Sequence, residues 1–394
     1  MRAIRRQRGW SQQFVGDRAG LSRGAIAKYE ALDRPVDSRT TLYALAEALG
    51  VRVGDLTGEH QDQLDPSVAK FHASVADIEI ALWTTGNTTP TGTVRTLTEL
   101  ATVAQHAAQL RRACDYAALG PLLAPLLTDC YRHTRDATGA DRDIAWDVLS
   151  ASAYTASAAL KARGYSALAW TAAQEIERAA ENIGGTAGPA TAMFTRSQIL
   201  LSRPGSLPTA LDYAASAADR LARDVRTLGE IETYGQLHLQ AGLVSAALGT
   251  DPTPHLDEAD EQVARLQHAK KGSSILRNPT FGASNVTLWR MSAAMELREP
   301  EQVLKLAPCL APETIKAPGR RAQYFVEIGR AHAQRRHYRE SLNSILRAEY
   351  IAPQQVRGMN HVRELVGHMM RSARRDLATG DLGRLAQRVG VVPI

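Results

Sequence analysis

Two cations separated by small residues carry the first chemical signal in this chain. In the run SQQFVGDRAGLSRGAIAKYEAL, from Ser11 to Leu32, Arg23 is followed by Gly24, Ala25 and Ala27, with Lys28 just beyond. On a helix, small residues let the backbone sink into a major groove, where Arg23 and Lys28 can reach guanine O6 and N7. Gln12 opens the preceding helix, so its amide and the free N–H groups of that helix end can hold a phosphate. An ordinary surface helix pair with two cations is the competing reading of the same residues.

Such side chains need two short helices held at a fixed angle, and the local signals supply them. Ser11 is placed to cap a helix running through Gln12, Gln13, Phe14, Val15 and Ala19, and Gly20 ends it. Ser22 caps a second helix from Arg23 to about Ala31. Phe14, Val15, Leu21, Ile26 and Tyr29 are spaced to put one apolar face between the two. A short turn containing glycine between such helices is the helix-turn-helix arrangement.

The longer stretch IRRQRGWSQQFVGDRAGLSRGAIAKYEALDRPVDSRTTLYALAEALGVRVGDLTG resembles the Xre-type, lambda-repressor-like five-helix DNA-binding domain. RGWSQ, AGLSRGAIAKYE and TLYALAEALGV carry the likeness, each in the place the family has it. The resemblance implies DNA binding. The expected contacts are Ser11, Gln12, Gln13, Ser22, Arg23, Gly24, Ala25, Ala27 and Lys28, with Arg34 and Arg39 beyond the second helix. Two departures stand out. The chain starts inside what would be the first helix, and LDRPVDSRT replaces the usual glycine-rich link before the fourth.

The 394 residues suffice for two or three domains. Apolar residues make up 44% but aromatics only 5%, with alanine prominent and no Asn-Gly hairpin signal, so the expectation is an all-α chain. Cys114, Cys130 and Cys309 are too few and too scattered for a disulfide framework or a metal site, which fits a reducing cytosol. There is no signal peptide and no uninterrupted apolar run long enough to span a membrane, so a cytoplasmic location without membrane contact is expected. The net charge of +6 is uneven. Residues 1–58 hold ten Arg/Lys against six Asp/Glu, residues 316–394 hold fifteen against six, and the middle is acidic. A basic head suits a polyanion, whereas a basic tail can equally be a solvated helical surface.

Residues 57–65 read as a polar linker. Pro66 begins one helix whose stripe is Val68, Phe71, Val75, Ile78 and Leu82, serving as a connection or as part of a dimer contact. GNTTPTGT, 86–93, breaks the chain, and Thr93 is available to cap the next helix. Beyond it come only helices parted by Gly and Pro, in pairs of roughly forty residues. The organisation expected is 1–58 for the helix-turn-helix domain, 59–93 for linker and connecting helix, and 94–394 for helical repeats.

The pair at 323–353 resembles a tetratricopeptide repeat. Phe325, Ile328, Gly329 and His332 match the first helix, and Ser341, Ile345, Ala348 and Pro353 match the second and its closing proline. Weaker copies precede it, the pair around 94–136 is degenerate, and 359–390 reads as a terminal cap. The stretches FGASNVTLWRMSAAMELREPEQVLKLA and RRAQYFVEIGRAHAQRRHYRESLNSILRAEYIAP look like the C-terminal repeats of Xre-type regulators from high-GC Gram-positive bacteria. Such units stack into an α-solenoid with a concave side. The likeness implies inward positions at Tyr154, Lys161, Thr195, Gln236, Asn285, Gln323, Arg330 and Gln334, with Trp289 beside them. Amides and cations in a column suit a peptide or a small polar metabolite; a solvated groove that binds nothing is the alternative.

Catalysis finds little support. No H-E-x-x-H, G-x-S-x-G or phosphate-loop motif occurs, KKGSS at 270–274 lacks the upstream glycine, and GGTAG at 184–188 reads as a helix break. The pairs His332/His337 and His361/His368 are better read as packing or surface than as metal ligands. The expectation is therefore a homodimeric DNA-binding transcriptional regulator whose repeats sense an effector, with no cofactor or metal and no enzymatic activity. The rival is a repeat scaffold whose N-terminal domain docks protein.

Overall fold

The computed structural model describes residues 1–31, 36, 38–51, 56, 66–85, 94–203, 205–269, 280–372 and 380–391. Among these residues there are helices and no strand, as the composition implied. The first four helices, α1 (Arg2–Gln7), α2 (Gln12–Ala19), α3 (Arg23–Glu30) and α4 (Arg39–Leu49), form the small N-terminal domain. Ser11 Oγ accepts from the Phe14 N–H and Ser22 Oγ from the Ala25 N–H, so both caps are made as the sequence indicates. Gly20 ends α2 at φ 63°, the left-handed region that glycine enters without steric cost.

Val15, Ile26, Tyr29, Leu45 and Leu49 form the core of this domain, with Leu21 packed against it. Phe14 departs from expectation. It is 42% exposed and lies against Trp10, ring centroids 5.1 Å apart, because the α2–α3 crossing is too close to admit a ring. Gly16 marks that closeness, since a Cβ there would sit 2.6 Å from the Leu21 carbonyl oxygen. Most of LDRPVDSRT and of the fifth-helix stretch lies outside the described residues.

The single helix expected from Pro66 is two, α5 (Pro66–Ala73) and α6 (Val75–Thr84), broken at Ser74. Phe71, Val75, Ile78 and Leu82 are buried as their stripe predicts, while the side chain of Val68, on the first turn of α5, lies outside what is described. The repeats follow as α7 (Leu97–Ala113), α8 (Tyr116–Asp136), α9 (Gly139–Ala162), α10 (Ser166–Ile183), α11 (Ala187–Leu200), α12 (Leu207–Leu221), α13 (Leu228–Leu248) and α14 (Thr253–Arg265). They continue as α15 (Ala283–Glu296), α16 (Pro300–Leu306), α17 (Pro318–Gln334) and α18 (Tyr338–Ile351). α19 (Pro353–Arg357), α20 (Asn360–Ser372) and α21 (Asp381–Arg388) complete the described chain. Thr96, not Thr93, caps α7, in a reciprocal capping box with Glu99.

Small residues set the repeat packing. A Cβ on Gly329 would lie 2.7 Å from Ile345 Cδ1 and 3.3 Å from the Ser341 carbonyl oxygen, so glycine lets α17 and α18 meet. The ends of the array also meet. The Gln354 amide accepts from the Ala117 N–H at 3.0 Å and donates to Asp115 Oδ1 at 3.0 Å, while Arg163 donates to the Gln354 carbonyl oxygen. One apolar core consequently runs from Phe71 through Leu123 and Val326 to Val389, and the array closes on itself around a central cavity.

Candidate DNA interface and repeat-domain cavity

α3 is positioned from behind by Glu30, whose carboxylate is buried at the helix's C-terminal end. Arg5 Nε donates to Glu30 Oε1 at 2.5 Å, Arg5 Nη2 to Oε2 at 2.8 Å, and Gln12 Nε2 to Oε2 at 2.9 Å. Arg5 also donates to the Trp10 carbonyl oxygen. Burial pushes the Glu30 carboxyl up, but the hydrogen bonds from Arg5 and Gln12 and the charges of Arg5 and Arg2 outweigh it and hold the group below its usual range. A carboxylate at a helix C-terminus opposes the helix dipole, and this tripod offsets the conflict while tying α1 and α2 to α3.

The opposite side of α3 is open. Arg23, Gly24 and Lys28 are exposed, Ala25 and Ala27 half-buried, and neither cation forms an ion pair among the described residues. Ser11 and Gln13 are exposed on α2, with Gln13 donating to Asp17. Ser11 and Ser22 spend their hydroxyls as helix caps, leaving them beside the α3 face rather than free. Gln12 is a correction: its amide is turned inward onto Glu30 and is not presented to a phosphate. Arg39 is a second correction. Its Nη1 donates to Glu296 Oε1 at 2.6 Å and its backbone N–H to Oε2 at 3.2 Å, which seats a carboxylate at the N-terminus of α4. Arg34 lies outside the described residues.

Arg39 belongs to a contact between the N-terminal domain and the repeats. Thr40 donates to the Ala247 carbonyl oxygen, Tyr43 to that of Leu201, and Arg298 to Thr41. Tyr43 is buried there against Leu201 and Leu243, with its hydroxyl pushed up to about 12 by burial. α4 thus docks between α11 and α15, leaving α3 facing outward.

The cavity inside the closed array has a volume of about 230 Å³ and is open to solvent. Tyr154, Gln236 and Gln323 line it, as their inward positions indicated. The remaining expected residues do not line it. Thr195 is buried and donates to the Thr191 carbonyl oxygen; Arg330 is buried and pairs with Glu327 at 2.7 Å. Asn285 is buried, with neither amide atom paired among the described residues. Trp289 is buried beneath the Arg320 guanidinium, 5.1 Å from its ring centroid. Lys161 is half-buried, its ammonium pushed down to about 8 by burial and by the charges of Arg39 and Arg320; Gln334 is half-buried elsewhere on α17.

Arg111, Arg112 and Arg320 line the cavity without having been anticipated. Arg111 and Arg112 fall in the pair read as degenerate, and the closure that carries them to Arg320 joins first and last repeats, a long-range event with no local signature. KKGSS lies outside the described residues, and GGTAG is the helix break expected, with Gly184 ending α10 at φ 80°. Among the described residues no group of three or more His, Cys, Asp or Glu is placed to hold a metal, and no helix is long and apolar enough to cross a membrane.

Residues 1–56 match a family model described as Helix-turn-helix. The match spans α1 to α4 and leaves the repeats unassigned. No curated protein and no solved structure matches the chain.

Proposed function

We propose that this protein is a non-enzymatic, sequence-specific DNA-binding transcriptional regulator, acting as a homodimer, whose helical repeats sense a peptide or small-molecule effector. The observation that carries the reading is the outward face of α3, where Arg23 and Lys28 stand exposed with Gly24 between caps and core, inside a segment matching a helix-turn-helix family. Small residues permit groove entry and the two cations supply base-edge and phosphate contacts. Two half-sites require two recognition helices about one turn of duplex apart, hence the dimer.

The α4 contact supports a sensing role for the repeats, because Arg39–Glu296 and Tyr43–Leu201 join the DNA-reading domain to them, and Leu201 ends α11, which carries Phe194 and Gln198 of the cavity lining. An effector shifts DNA affinity only by its differential affinity for docked and undocked arrangements. Mapping the sites occupied in the genome, then titrating one such duplex at several salt concentrations, tests the reading. Phosphate contacts make affinity fall steeply with salt, whereas protein docking by the N-terminal domain gives no specific duplex binding.

A further inference from the structure

Among the described residues the three cavity arginines have no countercharge. Arg111, Arg112 and Arg320 are half-buried, none forms an ion pair among the described residues, and the described lining contains no carboxylate. Burial and the Arg111 charge act against two of them, Arg112 and Arg320, each of which is held below its ordinary range. Guanidiniums stay charged at any pH a protein tolerates, so the repulsion persists until an anion enters. Two polar atoms beside them are also unsatisfied. Among the described residues Arg111 Nε is buried without a partner, and so is Nε2 of Gln236, a residue only 3% exposed that lines the cavity. Aromatic surface adjoins the charge: Arg111 lies 5.1 Å over the Tyr154 ring, and Phe194 lines the same wall.

We propose that the cavity binds a small anionic molecule with a planar apolar body, its phosphate or carboxylate set among Arg111, Arg112 and Arg320 and its ring along Tyr154 and Phe194. Bidentate guanidinium contacts match either oxyanion, and Gln236 supplies the donor that orients it. The ligand class narrows the effector in the regulatory reading above and rests on that reading only for its consequence, not for its binding. The route to the N-terminal domain runs along α11, which carries Phe194 and Gln198 of the cavity lining and ends at Leu201, whose carbonyl oxygen accepts from Tyr43 on α4.

Calorimetric titration of the full chain with 2-naphthyl phosphate, 2-naphthoate and neutral 2-naphthol tests this. The expected result is one-site saturation by at least one of the two anions, with 2-naphthol at least tenfold weaker. The ester binding and the acid failing identifies phosphate as the group read, and the converse identifies carboxylate. Arg320→Gln should weaken the anion at least tenfold; Gln198→Glu, which sets a carboxylate on the cavity wall without removing an arginine, should do the same if Arg320→Gln fails to fold. Equal binding of 2-naphthol, no saturation by either anion, or unchanged affinity in the folded variants overturns the site. Anion binding with unchanged operator affinity leaves the site standing and defeats the sensing reading instead.

Discussion

Arg39 and Glu296 lie 257 positions apart and meet through two hydrogen bonds, one from the guanidinium and one from the backbone N–H that opens α4. The pair converts a cation at a helix N-terminus, where the dipole disfavours it, into a carboxylate-capped contact between the DNA-reading domain and the repeats. Glu296 is nearly buried on its side chain and Arg39 is about one-third exposed, so the pair is partly shielded from solvent.

Glu296→Gln is expected to uncouple the two parts of the molecule, at a cost of about 1–2 kcal/mol. Calorimetric melting should change from one transition to two, and a double-mutant cycle with Arg39→Ala should give a coupling energy above about 0.5 kcal/mol. Additive single variants with unchanged melting would remove the contact from the account.

Arg23→Ala should cost roughly 1–3 kcal/mol on the best site and flatten preference at one base pair. Competition among single-base variants of the duplex checks this. Equal weakening on all sequences would make Arg23 a phosphate contact.

Glu30→Gln should destabilise the N-terminal domain by about 1–3 kcal/mol at neutral pH. The carboxyl is held below its ordinary 4.5, so its contribution is complete above that pH and is lost as pH falls through the lowered folded value. Melting curves of parent and variant should therefore converge on acidification below pH 4.5. A gap that is constant with pH would mean that Glu30 acts by shape alone.

The local parts of this architecture were legible. Ser11, Ser22 and Gly20 are short-range signals whose effect is complete within four residues, so α2 and α3 begin and end where they indicate. Gly329 likewise betrayed a close helix crossing. Arg39 was misread because its partner is on α15; a lone cation at a helix N-terminus was the available sign that a carboxylate would be brought to it. The inward column was legible for Tyr154, Gln236 and Gln323 but not for Arg330, whose nearest partner Glu327 is one turn away and satisfies it first. Arg111 and Arg320 needed closure of the array, which no local pattern encodes.

Gly329→Val should lower stability by about 1–3 kcal/mol, since the added carbons meet Ile345 and the Ser341 backbone. Denaturant melts check it. A neutral effect would mean that α17 and α18 can part at little cost.

The protein should be a homodimer held outside residues 1–58, because that domain spends Val15, Ile26, Leu45 and Leu49 on its own core. Light scattering at micromolar concentration without DNA should give about twice 42.7 kDa. A mass near 42.7 kDa throughout would refute the dimer.

If α3 reads duplex DNA, binding to a genomically mapped duplex must depend steeply on salt, and that dependence is the most direct test. Anisotropy titrations of the full chain should show affinity falling on the order of a thousandfold or more between roughly 50 and 200 mM salt, with Arg23→Ala weaker throughout. Affinity that is indifferent to salt, or equal for the mapped duplex and a scrambled one, would contradict it.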